Sequence, residues 1–501
     1  MLLHGVLRFI RGSCLGILGL LVVSPSALAA AAHHAMKPLM IVGPRAIPAA
    51  SGPQYGLFLC QVGLDALGRV CYDPYQIRHA YQVDSQIAAG YDGTGHTIVI
   101  IDAFQNPNLV TQVATYDAFY GLPAINLTQI APDGLTAFDP TNGDMVGWAE
   151  EISLDVQWAH NIAPGAKIVL VLAKSDQDPD IQSALNYAVT NNLGDIISMS
   201  FGENESCTDP SVLAAEHDSF AAATQNGVTL FAASADEGAA LMTCDGTSWV
   251  RAVSSPASDP LATAVGGTEL HAAGYCLTVL GCDPGSNPSP GTYQGEIAWN
   301  EGPPFGDFQG LLGTTASTGG GFSVLYAEPP YQRGTLRGGK QRAVPDVAYN
   351  AAIFHGVLTY LDIPGIPAGF YLFGGTSCGS PQWAALTAIA DQRAGRRLGF
   401  LNAALYRIGT VKMAYPASFH DVTSGVNSAL EFDAEGKPVT VTGFAAGVGW
   451  DPTTGTGTPN DPGLVGYLLR YVSPGDGVAA VAASQPKLHP KPIVPGGMSP
   501  H

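Results

Sequence analysis

Short runs of β-branched and apolar residues alternate with helical segments from about Thr97 onward. The runs TIVIID, KIVLVLA, IISMSF and VTLFAAS are separated by WAEEISLDVQWAHNI, DIQSALNYAVT and VLAAEHDSFAAATQNG. Strands and helices in this order predict an α/β fold, with a doubly wound, mostly parallel sheet and helices on both faces. Ligands of such sheets bind at the carboxyl ends of the strands. Residues 266–321, rich in Gly, Pro, Ser and Asn, are expected to form long loops.

The composition is that of a globular and strongly acidic protein. Of the 501 residues, 46% are hydrophobic and 13% are charged, so the chain has enough apolar surface to bury a large core. The 61 glycines and 37 prolines argue against an all-helical protein. The formal net charge is -19 and no basic stripe interrupts it, so no nucleic acid is expected as a partner.

Residues 1–30 have the organisation of a cleaved secretory signal peptide. Arg8 and Arg11 precede the apolar run CLGILGLLVV, and SPSALAA then supplies the small residues of a cleavage site. The apolar run is shorter than the ~20 residues that a spanning helix needs, which disfavours an uncleaved anchor. We therefore expect a secreted protein, extracellular or periplasmic, with no membrane association after signal cleavage.

Seven cysteines follow the predicted signal peptide. In an oxidising compartment their local spacing predicts three disulfides, Cys60–Cys71, Cys207–Cys244 and Cys276–Cys282. Spacing alone leaves other pairings open. Cys378 is left over by this pairing, and the absence of any CxxC pair disfavours metal binding by cysteines.

The stretch GGTSCGSPQW, from Gly374 to Trp383, places a serine and a cysteine side by side behind two glycines. The glycines permit a tight turn, and Pro381 fits the first turn of a helix through QWAALTAIADQRA. Ser377 would then lie at a helix N-terminus, where backbone N–H groups are able to hold an oxyanion. The alternative is that Thr376 or Ser377 only caps the helix.

A serine nucleophile needs a base, and no histidine lies in a hydrolase-like setting such as HGT. Glu151 and Asp155 are instead spaced i and i+4, which places both carboxylates on one helical face. Two touching carboxyls share a proton, so one pKa rises and the pair becomes a base suited to acid. Such pairs are usually a solvated face, but this one lies among Trp148 and Trp158. Glu150 competes for the role but points about 100° away from Glu151.

A third candidate carboxylate follows the strand VTLFAAS. Asp236, in FAASADEG, comes where a ligand-facing residue at the carboxyl end of a parallel strand would lie. The alternative is a loop residue whose side chain only caps a turn.

Several motifs together resemble one family, the sedolisins, which are serine-carboxyl peptidases with a subtilisin-like fold. The resemblance rests on the order and spacing of IVIIDAF, EISLDVQWAHNIAPGAKIVLV, IISMSFG, GVTLFAASADEG, PASDPLATAVGGT, VPDVAYNA and GGTSCGSPQWAAL. It covers about residues 72–470. Ordinary subtilisins have a histidine in HGT and an oxyanion asparagine where this chain has Glu151 and Asp236.

The resemblance implies a role for each matching residue. It makes Ser377 the nucleophile, Glu151 the general base, Asp155 the carboxylate that orients Glu151 and shares its proton, and Asp236 the oxyanion acid. Cys378 fills a position that the family usually gives to a small residue. A cysteine nucleophile is the alternative, because thiols at helix starts have lowered pKa values.

The resemblance also implies a substrate-binding wall. The family motif SWG is changed here to SFG, at Ser200, Phe201 and Gly202. Phe201 keeps an aromatic surface for an extended substrate but lacks the indole N–H.

A single Ca²⁺ site is implied by the segments FHDVTSG and AAGVGWDP. Its expected ligands are two carboxylates and three backbone carbonyl groups, from Asp421, Asp451, Val422, Gly447 and Gly449. Ligation by oxygen alone suits calcium.

The resemblance divides the chain into four parts. These are a signal peptide at 1–30, a short N-terminal extension at 31–71, a peptidase domain at 72–472 with a C-terminal calcium-binding region, and a disordered Pro/Ala/Gly-rich tail at 473–501. Sedolisins usually carry a long folded propeptide, and no full-length propeptide is evident in the extension.

The expected function is that of a secreted, acid-acting serine-carboxyl endopeptidase. We expect a monomer that hydrolyses protein or peptide substrates through an acyl-enzyme on Ser377. One alternative is a tripeptidyl exopeptidase of the same family. Another is a catalytically silent binding protein on this fold, although the intact set of four site residues speaks against it.

Overall fold

An eight-stranded sheet organises the computed structural model, which describes residues 35–48, 56–278, 282–283, 285–302, 315–335, 340–473 and 475–484. The strands lie in the order Tyr293–Ala298, Thr263–Ala272, Thr229–Ala233, Ile196–Met199, Thr97–Ala103, Lys167–Ala173 and Asn126–Ile130, and Val347–Asn350 pairs with Thr263–Ala272. In this sheet only Tyr293–Ala298 runs antiparallel to its neighbour. The predicted mostly parallel sheet is confirmed.

The strand Thr97–Ala103 shows why both faces of the sheet are covered. Side chains alternate along a strand, and every residue from Ile98 to Ile101 is buried. Ile98 and Ile100 enter one hydrophobic core, whereas Val99 and Ile101 enter the other. A strand that is apolar on both faces is typical of a parallel sheet between two helical layers.

Two helices cover each face near the centre of the sheet. Gly143–Ile162 and Gly379–Ala394 contribute to the first core, and Asp178–Thr190 and Pro210–Gln225 contribute to the second. The remaining helices are Pro74–Ala80, Val83–Ala88, Leu109–Tyr120, Asn402–Thr410, Tyr415–Ser418, Gly463–Tyr471 and Asp476–Ala483, with 3₁₀ turns at Leu59–Gln61, Pro330–Gln332 and Thr376–Cys378.

Smaller sheets of two to four strands surround the central one. Their strands are Lys37–Pro38, Ile41–Arg45, Val70–Tyr72, Phe201–Asn204, Ala240–Met242, Trp249–Arg251, Ser254–Ser255, Asn300–Glu301, Ala316–Ser317, Gly321–Ala327, Gln341–Val344, His355–Leu361, Gly369–Gly374, Phe419–His420, Ala429–Phe432, Pro438–Val441 and Thr458–Pro459. The expectation of loops throughout 266–321 is corrected, because the sheet hydrogen bonds extend to Ala272 and resume at Tyr293.

Three disulfides join the cysteine pairs that local spacing predicts. The bonds are Cys60–Cys71, Cys207–Cys244 and Cys276–Cys282. Cys378 is the free cysteine of the described residues, and it is buried.

Two of the predicted boundaries need correction. The expected disordered tail at 473–501 begins with the helix Asp476–Ala483, whose Ala480 is buried in the second core beside the Pro210–Gln225 helix. The alanines and valines of GVAAVAA give this helix an apolar surface to bury. The 31–71 extension supplies strands to sheets of the main body, because Ile41–Arg45 pairs with Gly369–Gly374.

The predicted signal peptide at 1–30 lies outside the described residues, as does the end of the tail from 485 onward. Among the helices of the described part, none combines the length and the apolar character that crossing a bilayer requires.

Several carboxyl groups of the described residues have pKa values that burial raises. Burial, together with the charge of nearby Asp259, raises the pKa of Glu216 to about 8. Burial likewise raises the pKa of Glu203 and of Asp391 to about 8, and that of Asp461 to about 7. These groups are neutral in the folded protein at acid pH.

We expect the folded protein to be most stable in acid and to lose stability as the pH rises toward 8. A carboxyl with a raised folded pKa binds more protons in the folded than in the unfolded state, whose pKa is about 4. Its stabilising contribution is complete below that value and is lost as the pH rises through the folded pKa. Thermal melts from pH 4 to pH 8 at constant calcium should show a falling midpoint. Glu216→Gln should flatten this fall, and a midpoint that rises toward pH 8 would contradict the account.

Candidate active site

The turn that carries Ser377 follows the strand Gly369–Gly374 and leads into the helix Gly379–Ala394. Gly375 has φ +100, and a Cβ there would lie 2.4 Å from Asp236 Oδ2. The second glycine of the motif is therefore required by the close approach of the backbone to the site. Ser380 Oγ, 2.8 Å from Ser198 Oγ, ties the helix start to the central sheet.

The hydroxyl of Ser377 points away from the helix that follows it. Ser377 Oγ donates a hydrogen bond to Glu151 Oε2 at 3.0 Å, and no side chain caps the Gly379–Ala394 helix. Thr376 Oγ1 instead donates to Asp236 Oδ1 at 2.8 Å. The capping alternative is therefore wrong for both residues.

Glu151 and Asp155 lie one turn apart on the Gly143–Ile162 helix and are completely buried. Ser200 Oγ donates to Asp155 Oδ1 at 2.9 Å. Burial raises the pKa of Glu151 well above its usual value, and the charge of Asp155 raises it further. Burial also raises the pKa of Asp155 to about 7. Glu151 Oε1 and Asp155 Oδ2 have no other hydrogen-bond partner in the described residues, so the pair is able to share one proton.

Asp236 lies just beyond the strand Thr229–Ala233 and contacts Thr376, the residue before Ser377. Its Oδ1 accepts hydrogen bonds from the backbone N–H and the hydroxyl of Thr376, both at 2.8 Å. Its Oδ2 is buried without a hydrogen-bond partner among the described residues. Burial raises the pKa of Asp236 well above its usual value, and the charge of Glu237 raises it further. A protonated Asp236 has a free O–H donor beside Ser377.

A fourth buried carboxyl, Asp102, was missed by the sequence reasoning. It lies near the carboxyl end of the strand Thr97–Ala103 and has no exposed surface. Burial raises the pKa of Asp102 well above its usual value, and the charge of Asp155 raises it further. The pattern that indicated Asp236, an acidic residue at the carboxyl end of an apolar strand, is also present at Asp102 and could have identified it.

The backbone of Ser200, Phe201 and Gly202 lies beside Ser377, since Ser200 O is 3.2 Å from Ser377 Oγ. The residues Lys37–Pro38 pair with this wall as an antiparallel strand, with Lys37 opposite Gly202. A Cβ at Gly202 would lie 2.0 Å from Ser254 Oγ, so only glycine fits at this position. The Phe201 ring is buried against Trp148, with ring centroids 5.9 Å apart.

The comparisons with known proteins agree with this geometry. The profile of the subtilase family matches residues 134–397, more than half of the chain. Kumamolisin of Bacillus sp. (strain MN-32) is 32% identical over 80% of this chain and 64% of its own length. Tripeptidyl-peptidase 1 of Mus musculus is 29% identical over 64% of this chain and 52% of its own length.

A solved structure of Pseudomonas sedolisin, a serine-carboxyl proteinase complexed with two molecules of pseudo-iodotyrostatin, is also similar. It matches with a TM-score of 0.65 at 27% identity, over 81% of this chain and 100% of the sedolisin chain. This chain belongs to the sedolisin family. The predicted subtilisin-like fold is confirmed. The matched regions of kumamolisin and tripeptidyl-peptidase 1 are less than two thirds of those proteins.

Glu150 is the alternative to Glu151 as base, and Cys378 is the alternative to Ser377 as nucleophile. Glu150 is on the same helix as Glu151, and burial raises its pKa to about 7, but it makes no hydrogen bond to Ser377 within the described structure. Cys378 has no exposed surface, and burial raises the pKa of its thiol well above the usual value, with a further rise from the charge of Glu151. A neutral, enclosed thiol is a poor nucleophile.

The residues predicted to hold calcium lie in two loops that meet. Gly449 N–H donates to both carboxylate oxygens of Asp421, at 3.1 and 3.2 Å, and Gly447 N–H donates to Asp451 Oδ2 at 3.0 Å. Neither carboxylate has an ion pair with a cationic side chain of the described residues. The carbonyl groups of Val422, Gly447 and Gly449 accept no hydrogen bond there either. Two unneutralised carboxylates and three free carbonyl groups fit the donor set of a calcium ion.

We expect Cys378 to resist alkylation in the folded protein. The thiol is enclosed and its raised pKa keeps it protonated, so it offers little thiolate. Intact mass after iodoacetamide treatment at mildly alkaline pH should show no adduct on the native chain and one on the chain unfolded in guanidinium. Cys378→Ser should show none in either state. Rapid modification of the native chain would mean that the thiol is accessible and ionised.

Proposed function

We propose that this chain is an acid-acting serine-carboxyl peptidase with Ser377 as nucleophile and Glu151 as general base. The observation that supports this most directly is the buried hydrogen bond from Ser377 Oγ to Glu151 Oε2. Asp155 lies one helical turn from the base, and Asp236, whose Oδ2 has no hydrogen-bond partner among the described residues, contacts Thr376 next to the nucleophile. This arrangement provides a nucleophile, a base and an oxyanion donor.

In the proposed reaction Ser377 Oγ attacks the substrate carbonyl carbon while Glu151 accepts the hydroxyl proton. The developing oxyanion receives hydrogen bonds from Ser377 N–H and from protonated Asp236. Glu151 then gives the proton to the leaving amine, which leaves an ester on Ser377. Water hydrolyses this ester with Glu151 again as base, and Asp155 shares the proton that Glu151 holds between steps.

Cleavage within chains is favoured over release of tripeptides by the length of the cleft. The residues Met36–Leu39 lie beside Ser377, whose N–H donates to Leu39 O at 2.9 Å. Counting back from Leu39, the fourth residue is Met36, which is buried and whose N–H donates to Asp176 O at 2.9 Å. An enzyme that removes tripeptides needs its cleft to end after the third residue. A cleft with a binding position for the fourth residue therefore supports an endopeptidase.

The test is digestion of an unfolded protein across a pH series, with the product masses read by mass spectrometry. Internal fragments formed in acid support the proposal, and a ladder of tripeptides would favour the exopeptidase. Ser377→Ala and Glu151→Gln should each remove most of the rate, because nucleophile and base act as a unit. Cys378→Ser is the matched control and should keep most of it. Absence of cleavage by the wild-type chain at every pH would favour a silent binding protein.

The proposal includes a secreted location and one calcium ion. Three disulfides support an oxidising compartment. The carboxylates of Asp421 and Asp451, with the carbonyl groups of Val422, Gly447 and Gly449, would hold the ion. The ion would neutralise the negative charge of the two carboxylates and would stabilise the fold, and it takes no part in the bond-breaking steps.

We expect the pH dependence of kcat/KM to change when Asp236, the proposed oxyanion donor, is replaced. Asp236 donates only while protonated, and Glu151 accepts a proton only while ionised, so kcat/KM should form a bell on the acid side of neutrality. Asp236→Asn should keep measurable activity and extend the alkaline limb, because an amide donates at any pH. Asp236→Ala should lose about 10²- to 10³-fold. The measurement is kcat/KM against pH on one peptide, and three coincident profiles would remove Asp236 from the oxyanion site.

We expect calcium to stabilise the fold without acting in the chemistry. An ion bound only by the folded state stabilises it by about 2.7 kcal/mol at a hundredfold excess over its dissociation constant. The melting midpoint should rise with calcium, and Asp451→Ala should abolish this rise. Asp433→Ala, at a carboxylate in an exposed turn, is the control that should leave it intact. A melting midpoint that changes with neither calcium nor chelator would contradict the proposed calcium site.

A further inference from the structure

Two histidines and a glutamate meet where two sheets adjoin, in a cluster that the proposed peptidase reaction does not use. Glu269 and His271 belong to the strand Thr263–Ala272 of the central sheet, and His355 begins the strand His355–Leu361 of the four-stranded sheet. Because side chains alternate along a strand, Glu269 and His271 lie on the same face. His355 meets them from the neighbouring sheet, and the ring centroids of the two histidines are 4.7 Å apart.

One carboxylate oxygen of Glu269 is shared by both contacts. Glu269 Oε1 is 3.2 Å from His271 Nε2 and 3.1 Å from His355 Nδ1. Ligands bound to zinc at 2.0–2.1 Å in a tetrahedron are about 3.3 Å apart, which is close to both separations. One ligand atom from each of the three residues lies within 4.8 Å of the others. The His271 side chain is 43% exposed, so its ring has room to rotate and close the remaining distance.

The contact at His355 differs from an ordinary hydrogen bond. Its Nδ1 is enclosed and, although Glu269 Oε1 is 3.1 Å away, has no hydrogen bond of ordinary geometry among the described residues. A buried ring nitrogen without a partner costs free energy. A nitrogen that binds a metal directs its lone pair at the ion and not at the next ligand atom. An ion held between Glu269 and His355 would therefore supply the missing partner.

No strong cation neutralises Glu269 in the described part of the chain. Its ion pairs there are with His271 and His355, and neither a lysine nor an arginine is paired with it. Metals bind histidine as the neutral imidazole. A divalent ion would therefore bind both rings and would itself balance the carboxylate charge.

A buried asparagine connects the backbones of the two strands at this point. Asn350 Oδ1 accepts a hydrogen bond from Leu270 N–H at 3.0 Å, and Asn350 Nδ2 donates to His355 O at 2.8 Å. Leu270 lies between Glu269 and His271 in the sequence. The same side chain thus fixes the backbone on both sides of the cluster, which is how a metal site is held ready for its ion.

A buried tyrosine makes a second connection. Tyr72 Oη donates to Leu270 O at 2.7 Å and accepts from Ala272 N–H at 3.1 Å. These two residues lie on either side of His271. The strand that carries Tyr72 pairs in parallel with the strand that carries His355. The three candidate ligands therefore project from rigid elements rather than from loops.

We infer that Glu269, His271 and His355 bind a divalent transition-metal ion such as zinc, with water as the fourth ligand. Two imidazoles and one carboxylate suit zinc and its neighbours in the first transition row, whereas calcium takes oxygen ligands. The three residues are half-buried, so an ion has access and room for the water. The site shares no residue with the proposed calcium loops or the proposed catalytic centre.

The ion would hold the two sheets together close to the strand that precedes the catalytic turn. His355–Leu361 pairs antiparallel with Gly369–Gly374, which leads into the Ser377 turn, whereas Thr263–Ala272 belongs to the central sheet. An ion bound only by the folded chain stabilises it by mass action. Zinc should therefore raise the melting midpoint at neutral pH.

Calorimetric titration of the metal-free full chain with zinc chloride near pH 7, with calcium present, tests this inference. We expect one zinc bound per chain, with affinity reduced at least tenfold in both His271→Ala and His355→Ala. Because His271 is 43% exposed, its replacement should leave the fold intact, and a melt without zinc checks this. His79→Ala, at a partly exposed histidine paired with Asp84, is the matched control and should bind like wild type.

The melting midpoint gives a second measurement on the same proteins. Zinc should raise the midpoint of the wild type and of His79→Ala, and this rise should be lost in His271→Ala. No binding, or binding and stabilisation that the two site variants leave unchanged, would overturn the inference.

Ser377→Ala separates this site from the proposed peptidase function. It should bind zinc like the wild type, whether or not the wild-type chain cuts any substrate, so failure of the peptidase proposal would leave the metal site standing. Zinc binding that is lost in Ser377→Ala and kept in His271→Ala would place the ion at the proposed catalytic centre and would overturn the inference.

Discussion

The proton shared by two buried carboxyls is the constraint on which the rest of the site depends. Glu151 and Asp155 have no solvent and no cation to stabilise two negative charges, so the pair keeps one proton. That proton sets the charge of Glu151, the proposed base, which accepts a hydrogen bond from Ser377. Asp102 adds a third acid to the same enclosed region, which further disfavours ionisation. Burial therefore limits the number of negative charges that Glu151, Asp155 and Asp102 carry together.

The same electrostatic condition extends through the interior. Glu216 and Asp391 are buried and Glu203 is half-buried, and all three are protonated in acid, as is the buried Asp236 at the site. Buried carboxyls at the proposed catalytic centre are thus one part of a fold whose whole core favours low pH. A base and an oxyanion donor that both consist of carboxyl groups are compatible with such an interior, since neither needs a buried imidazolium.

Backbone pairing explains how the N-terminal segment lies extended beside Ser377. The segment at Phe201–Gly202 and the strand Gly369–Gly374 each present an edge that the extended N-terminal segment pairs with. Side-chain pockets then select among the residues of that segment, with apolar space at the position beside Ser377 and at the fourth residue counted back from Leu39. The N-terminal segment meets both conditions, because its backbone is paired on both sides of Leu39 and the side chains of Met36 and Leu39 are buried.

The sequence by itself determined the parts of this protein that depend on local periodicity. The alternation of apolar strands and helices predicted the parallel sheet, the i, i+4 spacing predicted that Glu151 and Asp155 share a face, and short separations predicted the three disulfides. The resemblance to sedolisins then connected Ser377 and Asp236 with that pair.

Only the tertiary structure decided which distant groups meet. Asp102 joins the site because its strand lies next to the one that ends before Ser200, an adjacency that strand order fixes and local pattern does not. The helix Asp476–Ala483 forms because another helix offers it an apolar surface to pack on. Leu39 reaches Ser377 across more than three hundred residues of sequence, through backbone hydrogen bonds that carry no signature in residue type. Such contacts depend on the folded path of the chain.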